Sequence, residues 1–387
     1  MTKEQEFIVF GAPDIRDEEI PEVVQTLRSG WIGTGPKVSR FEQDFSKYKN
    51  VSPGNTLALN SCTSALHLAL ISAGVKSGDE VITTATTFCA TVNAIIHSGA
   101  TPVLVDIDPE TLNIDVNKIE TVITKNTKVI LPVHLTGLPC DMGAIVEIAN
   151  KNNLIIIEDC AHAIESEYKG KKIGTIGDYG CFSFYSTKNV VTAEGGMMIA
   201  KDKKMINASR KLSLQGMDHD AWNRFGSDGY KHYSIYDAGF KYNMTDISAS
   251  LGIHQLARVE EMWARRQSIC EFYIEALSDL PVILPFVSKS EVKHAHHLFV
   301  IQINEQSSKI SRDSFIEGMK NAGIGTGVHY KSIASYQFYI NKLGLNPIDF
   351  PHSIKNGDQT VSLPLSGALT DCQVERIVNS IIHLYSR

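Results

Sequence analysis

NLIIIEDCAHAI, residues 153–164, and GCFSFYSTKNVVTAEGGMMIA, residues 180–200, decide how this 387-residue chain is read. In the first, the apolar run from Leu154 to Ile157 ends abruptly at Glu158 and Asp159. In the second, Cys181 to Tyr185 form a short aromatic run, Lys188 follows, and the turn-prone Ala193-Glu194-Gly195-Gly196 leads into Met197–Ala200. Short, continuous apolar runs are those of strands covered on both faces. Working outward, DEVITT (79–84), TPVLVDID (101–108) and TKVILPVHL (127–135) have the same character. Amphipathic stretches at 87–98 and 142–152 separate the earlier ones. The alternation predicts an α/β fold with a central mixed, mostly parallel sheet. In such sheets the ligand crevice lies beyond the carboxyl ends of the strands, where Asp159 and Lys188 fall.

Further along, residues 201–245 are irregular and rich in aromatic, Gly, His and Asp residues, the mark of a functional loop or one shared with a partner subunit. A long helical pattern starts at Thr245 and continues through QLARVEEMWARRQSICEFYIEAL (255–277). It reads as the passage from a large domain, 1–255, into a smaller α+β domain, 256–387. That second domain contains a strand at 296–303, a helix at 312–323 and a closing helix near 370–385. The size suits two domains. A net charge of −6, with no Lys/Arg block, argues against a nucleic-acid partner. No stretch has the length of a membrane span or the pattern of a signal peptide, so a cytoplasmic protein with no membrane partner is expected. The seven cysteines include no C-x-x-C pair, which fits a reducing compartment.

A carboxylate and a lysine at neighbouring strand ends suit a pyridine aldehyde. The lysine would form an imine with it, and the aspartate would keep the ring nitrogen protonated. A surface lysine and a capping aspartate fit the spacing equally well. In NSCTSALHLAL (60–70), Ser61, Thr63 and Ser64 stand just before an apolar helix, where they suit a phosphate or, more commonly, a simple N-cap. Ser183 alternates with Phe182 and Phe184 and so points to the opposite face, as a second phosphate hydroxyl or an ordinary sheet serine. Phe88 could stack on an aromatic ring, although a lone aromatic there is more often core. GIGTG (323–327) lacks the setting of a dinucleotide loop. His294, His296 and His297 lack the company of a zinc site, and Asp106 and Asp108 look like strand-end and turn residues, so no metal is expected.

Taken together, SGWIGTGPKV (29–38), NSCTSALHLAL, PVHLTGLPCDM (132–142), IIEDCAHAI (156–164), FSFYSTKN…EGG, FKYNMTDISASLG (240–252), GIGTGVHY (323–330) and SLPLS (362–366) resemble the DegT/DnrJ/EryC1/StrS sugar aminotransferase family over nearly the whole chain. The resemblance implies an aspartate-aminotransferase-like, fold-type-I enzyme dependent on pyridoxal 5′-phosphate (PLP). Lys188 would be the Schiff-base lysine, Asp159 the partner of the pyridine nitrogen, and His162 a neighbour of the ring. Phe88 would stack on the ring, Thr63, Ser64 and Ser183 would hold the phosphate, and Asn243 would reach the phosphate in the other subunit of a homodimer with shared active sites. The implied substrates are an amino-acid donor, glutamate by analogy, and a nucleotide-linked keto-sugar aminated at C4. The nearest look is to enzymes acting on UDP-4-keto-pentose. Arg224, Lys231, Tyr236, His329 and Tyr330 are candidates for the sugar nucleotide, which needs cationic and aromatic groups. Where the family pattern HYxPxH ends in histidine, this chain has Ala334, a departure on the side that faces the sugar nucleotide in relatives. The same scaffold also serves 3-keto-sugar and amino-cyclitol transaminases and dehydratases; in the dehydratases a histidine replaces the lysine. A non-catalytic regulator on this scaffold would have no need of the lysine, aspartate and phosphate residues kept here.

Overall fold

The computed structural model describes residues 6–217, 234–287 and 291–386. Seven strands, β1 (Thr56–Leu59), β2 (Glu80–Thr84), β3 (Thr101–Val105), β4 (Thr127–Leu131), β5 (Ile155–Asp159), β6 (Tyr179–Ser183) and β7 (Gly196–Ala200), build the main sheet. Their order is β1-β7-β6-β5-β4-β2-β3. Neighbours from β6 through β3 are parallel, whereas β7 is antiparallel to both β6 and β1. The sheet is therefore mixed and mostly parallel, as the uninterrupted apolar runs predict.

Alternation along the strands sorts side chains onto two faces. Ile156, Phe182 and Phe184 join Phe41 and Phe45 of α2 (Pro36–Tyr48) in one core. Ile157 and Cys181 join Leu66 and Leu68 of α3 (Cys62–Ser72) in the other. The register sets Asp159 beside Cys181, so both Asp159 and Ser183 emerge on the α3 side at the carboxyl end of the sheet. α3 is apolar nearly all round because it lies wholly inside. Helix α4 (Cys89–His97) starts after β2 and lies over the same end.

The helical pattern expected to run on from Thr245 is two helices, α5 (Asp246–Ala257) and α6 (Val259–Leu277), broken at Arg258. Periodicity cannot show this break, because Arg258 is held by distant groups: its guanidinium bonds the Glu19 carboxylate and the Asp14 carbonyl. α6 leads to a separate core around the antiparallel pair β8 (Phe299–Gln302) and β9 (Thr360–Leu363), with α7 (Arg312–Asn321) and α8 (Asp371–Tyr385). Ile8, from the beginning of the chain, is buried in this core. The Ile8 N–H donates to Gly323 O, and the Gly325 N–H donates to Ile8 O, both at 2.9 Å. GIGTG thus anchors the N-terminal segment.

Asp106 does more than end a strand. Its two carboxylate oxygens accept from the N–H groups of Ser353 and His352 at 2.8 and 3.1 Å, capping the helix Pro351–Gln359 from across the molecule. Ala334, expected on the substrate side, is fully buried among Val92, Leu104, Ile333 and Phe350. A histidine there would have no solvent to reach.

Candidate active site

At the carboxyl end of the sheet a cleft of about 640 Å³ opens between the sheet and the segment 327–330. This is the size of small-molecule and cofactor sites generally. Asp159, His162, Ser183, Lys188, Phe88, Thr63, His329 and Tyr330 all line it. The sequence thus brings together residues that lie far apart along the chain.

Asp159 is buried, and its two oxygens face different partners. Oδ2 accepts from Thr91 Oγ1 at 2.9 Å and Oδ1 accepts from Ala161 N at 3.1 Å. Burial pushes the carboxyl up; the bonds from Ala161 and Thr91 and the charge of Lys188 pull it back down, in that order. Lys188 sits on the turn that follows β6, its N–H bonded to Tyr185 O at 2.8 Å. Burial lowers its ammonium to about 8, while Cys62 and Asp159 oppose the shift. A lysine so placed is partly the free amine near neutral pH, which imine formation requires.

The start of α3 forms one end of the cleft. Ser61 is the N-cap and accepts from Ser64 N at 3.1 Å. The N–H groups of Cys62 and Thr63 have no partner within the helix and face the place where an anion is favoured. Gly196 lets β7 begin against this turn, since a Cβ there would lie 2.4 Å from Ser61 C. Ser64 is placed differently from the expectation: its hydroxyl donates to Asn60 Oδ1 at 2.5 Å and is not part of the cleft wall. Ser61, Thr63 and Ser183 carry their hydroxyls in that wall.

Phe88 is 57% exposed although it stands in the cleft, its ring 5.9 Å from that of Tyr330. An aromatic side chain left bare inside a cleft suits a stacked planar ligand. His162 lies opposite, its Nε2 3.2 Å from the Tyr330 hydroxyl, and its Nδ1 is buried without a partner. Burial, then Lys188, His297 and His329, hold this imidazole neutral. Burial and Lys188 bring His329 down to about 4; its Nδ1 lies 2.8 Å from Ser362 Oγ and its ring stacks on Phe10 at 5.3 Å.

Two candidates fall outside this wall. Asn243 bridges to Leu59 at the end of β1, donates to Thr34 Oγ1 at 2.6 Å, and leaves its Oδ1 buried and unpartnered. Tyr236 is 65% exposed with Lys211 over its ring, and it does not line the cleft. Arg224 and Lys231 lie outside the described residues. Sequence reading missed Thr91 and Phe10 and weighed His297 only as a zinc ligand. Only Thr91, one helical turn beyond Phe88, carried a signal that could have found it.

Among the described residues, one group has metal-ligand chemistry: His134, Glu158 and Cys160, with ligand atoms within 4.8 Å of one another. Its lone pairs and hydrogens are already engaged. Glu158 accepts from Gly174, Ile176 and Gly177 N–H groups and pairs with His134 Nε2, while His134 Nδ1 accepts from Cys140 N.

The DegT/DnrJ/EryC1/StrS aminotransferase family model matches residues 13–382. The chain belongs to this family. Spore coat polysaccharide biosynthesis protein SpsC of Bacillus subtilis is 43% identical over 381 residues, 98% of this chain and 97% of that one. An uncharacterized protein of Methanocaldococcus jannaschii is 46% identical over 374 residues, 97% and 96% of the two chains. Among solved structures, the PLP form of Spr1654 from Streptococcus pneumoniae superposes with a TM-score of 0.90 at 35% identity, covering 98% and 99% of the chains. PseC of Helicobacter pylori, an aminotransferase of pseudoaminic acid biosynthesis, does so at 0.90 and 26%, covering 98% and 100%. Like these neighbours, this member of the DegT/DnrJ/EryC1/StrS family is a fold-type-I aminotransferase that uses PLP. The residues present fit that cofactor: a half-buried lysine, a buried carboxylate with an orphaned imidazole nitrogen near it, a bare aromatic face and a helix start.

Proposed function

We propose that the enzyme transfers an amino group from glutamate to C4 of a nucleotide-linked keto-sugar in the cytoplasm, for a cell-surface glycan. The observation that carries this reading is the joint placement of Lys188 and Asp159 in one cleft whose opposite wall is aromatic and neutral. When bound, PLP supplies an aldehyde carbon that carries the amino group and a protonated ring that draws electrons from it.

The chain's own groups do the rest. Thr63, Ser61, Ser183 and the N–H groups of Cys62 and Thr63 would hold the phosphate, Phe88 would cover one ring face, and Asp159 would hold the ring nitrogen. Lys188 Nζ would hold the cofactor covalently, give way to the donor amine, and then take the proton from the donor Cα. Its lowered proton affinity leaves enough free amine for both tasks. Tyr330 orients His162, and His329, kept neutral, offers a sugar hydroxyl a partner without adding charge. The names of the relatives, a spore coat polysaccharide protein and a pseudoaminic acid aminotransferase, support a glycan-directed keto-sugar.

Among the described cleft residues there is no arginine for the donor's carboxylates. Arg224 and Lys231, or groups of a second subunit, remain the proposed cationic partners of the substrates. On α1 (Glu19–Ser29), Ile20, Val24 and Leu27 form an exposed apolar stripe that continues into Trp31 and Ile32. It lies near the Thr34–Asn243 contact, and it fits a homodimer whose two cleft edges meet there. We assign 1–255 to the cofactor-binding domain and 256–387 to the smaller one, with the Arg258 break close to the boundary.

A panel of UDP-, dTDP- and GDP-linked 4-keto-sugars with glutamate, read by mass spectrometry, tests the proposal. One 4-amino-sugar nucleotide should form together with 2-oxoglutarate. Amination of a 3-keto-sugar or a cyclitol instead would overturn the C4 assignment.

A further inference from the structure

Asn189 directly follows Lys188, yet its side chain turns into a buried network that plays no part in the steps above. Its Nδ2 donates to Glu165 Oε2 at 2.9 Å and to Ala295 O at 3.2 Å, and its Oδ1 lies 2.9 Å from His297 Nδ1. With both amide hydrogens given to a carboxylate and a carbonyl, Oδ1 can only accept. His297 Nδ1 must therefore carry the hydrogen.

Glu165 is fixed in turn. Its Oε1 accepts from Arg266 Nη2 at 2.5 Å, and both side chains are buried. Arg266 Nε also donates to His296 O at 3.1 Å, the carbonyl just before His297. The His297 N–H donates to Thr136 O at 3.0 Å. His297 is thus gripped by backbone and side chain, while its ring lines the cleft 4.4 Å from the His162 ring.

Resting on the aminotransferase reading, we propose that Asn189 is a positioning residue that locks His297 in the neutral Nδ1–H tautomer. His297 then presents Nε2 to the cleft as an acceptor for an N–H or O–H of the bound substrate. The charges around it agree. Burial first, then Lys188, His329, Arg266 and His294, oppose an imidazolium at this position, and His162, itself neutral, covers the ring. A cation here would be repelled by a protonated Lys188. Had Asn189 been a hydrogen donor to His297, the ring would present an N–H to the cleft and repel the same substrate groups.

Apoprotein labelled with 15N-histidine, with His297 assigned through His297→Gln, tests this by long-range proton–nitrogen correlation spectra. Wild type should show a protonated Nδ1 and a bare Nε2 throughout roughly pH 6 to 8. In Asn189→Ala the two nitrogen shifts should move toward each other as the tautomers mix. Burial and Lys188 still hold the ring neutral in that variant, so its kcat should fall by a near-constant factor across roughly pH 6 to 8 without a new ionisation. An Nε2–H tautomer or an imidazolium in the wild-type spectrum would overturn the proposal, as would an Asn189→Ala spectrum that matches wild type. The spectra are taken without cofactor, so a failure of the PLP assignment would leave them unchanged, and the two failures are distinguishable.

Discussion

On each face of the sheet β5 presents a buried acid, and a lysine of lowered proton affinity lies on the same side; the two pairs have opposite fates. On the α2 side, Glu158 accepts three backbone N–H groups and pairs with His134. Lys49, buried on the same side, donates to Ile164 O and Ile173 O at 2.8 and 2.9 Å and lies over the Phe182 ring. On the α3 side, the Asp159 carboxylate accepts two hydrogen bonds among the described residues, and Lys188 lines a cleft. Both lysines have lowered proton affinity, Lys49 to about 7 and Lys188 to about 8, with burial as the largest cause. A perturbed lysine is therefore no guide to chemistry by itself. Spare hydrogen-bonding capacity beside open space is what separates the reactive pair from the structural one.

The contrast breaks most sharply under substitution of the acids. Asp159→Ala should lower the transamination rate by roughly 10³-fold, about 4 kcal/mol, while folding is kept. Glu158→Ala should instead cost about 3–5 kcal/mol of stability in urea unfolding, because it strands His134 and three N–H groups. A Glu158→Ala protein of wild-type stability would erase the distinction.

The signs of the two titrations sharpen it. Burial pushes Glu158 up, but the His134 bond and the Gly177 and Gly174 N–H groups outweigh it, so the folded carboxyl lies below its ordinary value. Its stabilising effect is complete above the unfolded value of about 4.5 and is lost as pH falls through the folded one. Asp159 is raised in the folded protein, so it opposes folding as pH rises. Asp159→Asn apoprotein should therefore be at least as stable as wild type at neutral pH, whereas Glu158→Gln should be less stable; thermal unfolding at several pH values reads both. The smallest effect belongs to Thr91→Val, which removes one bond to Asp159 and should cost about 1 kcal/mol, near fivefold in kcat.

Much of this was legible in the chain. The apolar runs that stop at Asp159 and just before Lys188 place both residues at strand ends, and Phe182-Ser183-Phe184 alternation sends Ser183 to the cleft. What local pattern could not show depends on distant partners. Ser64 is drawn toward Asn60. The helix beyond Thr245 breaks where Arg258 meets Glu19. Asn189 meets His297 only because the chain after α6 returns beneath the cleft.

The central claim is that Lys188, and not the still more perturbed Lys49, carries the cofactor. Borohydride reduction of the PLP-loaded enzyme followed by peptide mass spectrometry tests it directly. The account predicts a pyridoxyl group on the peptide containing Lys188 alone, lost in Lys188→Ala. A label on the Lys49 peptide, or full activity in Lys188→Ala, would contradict it.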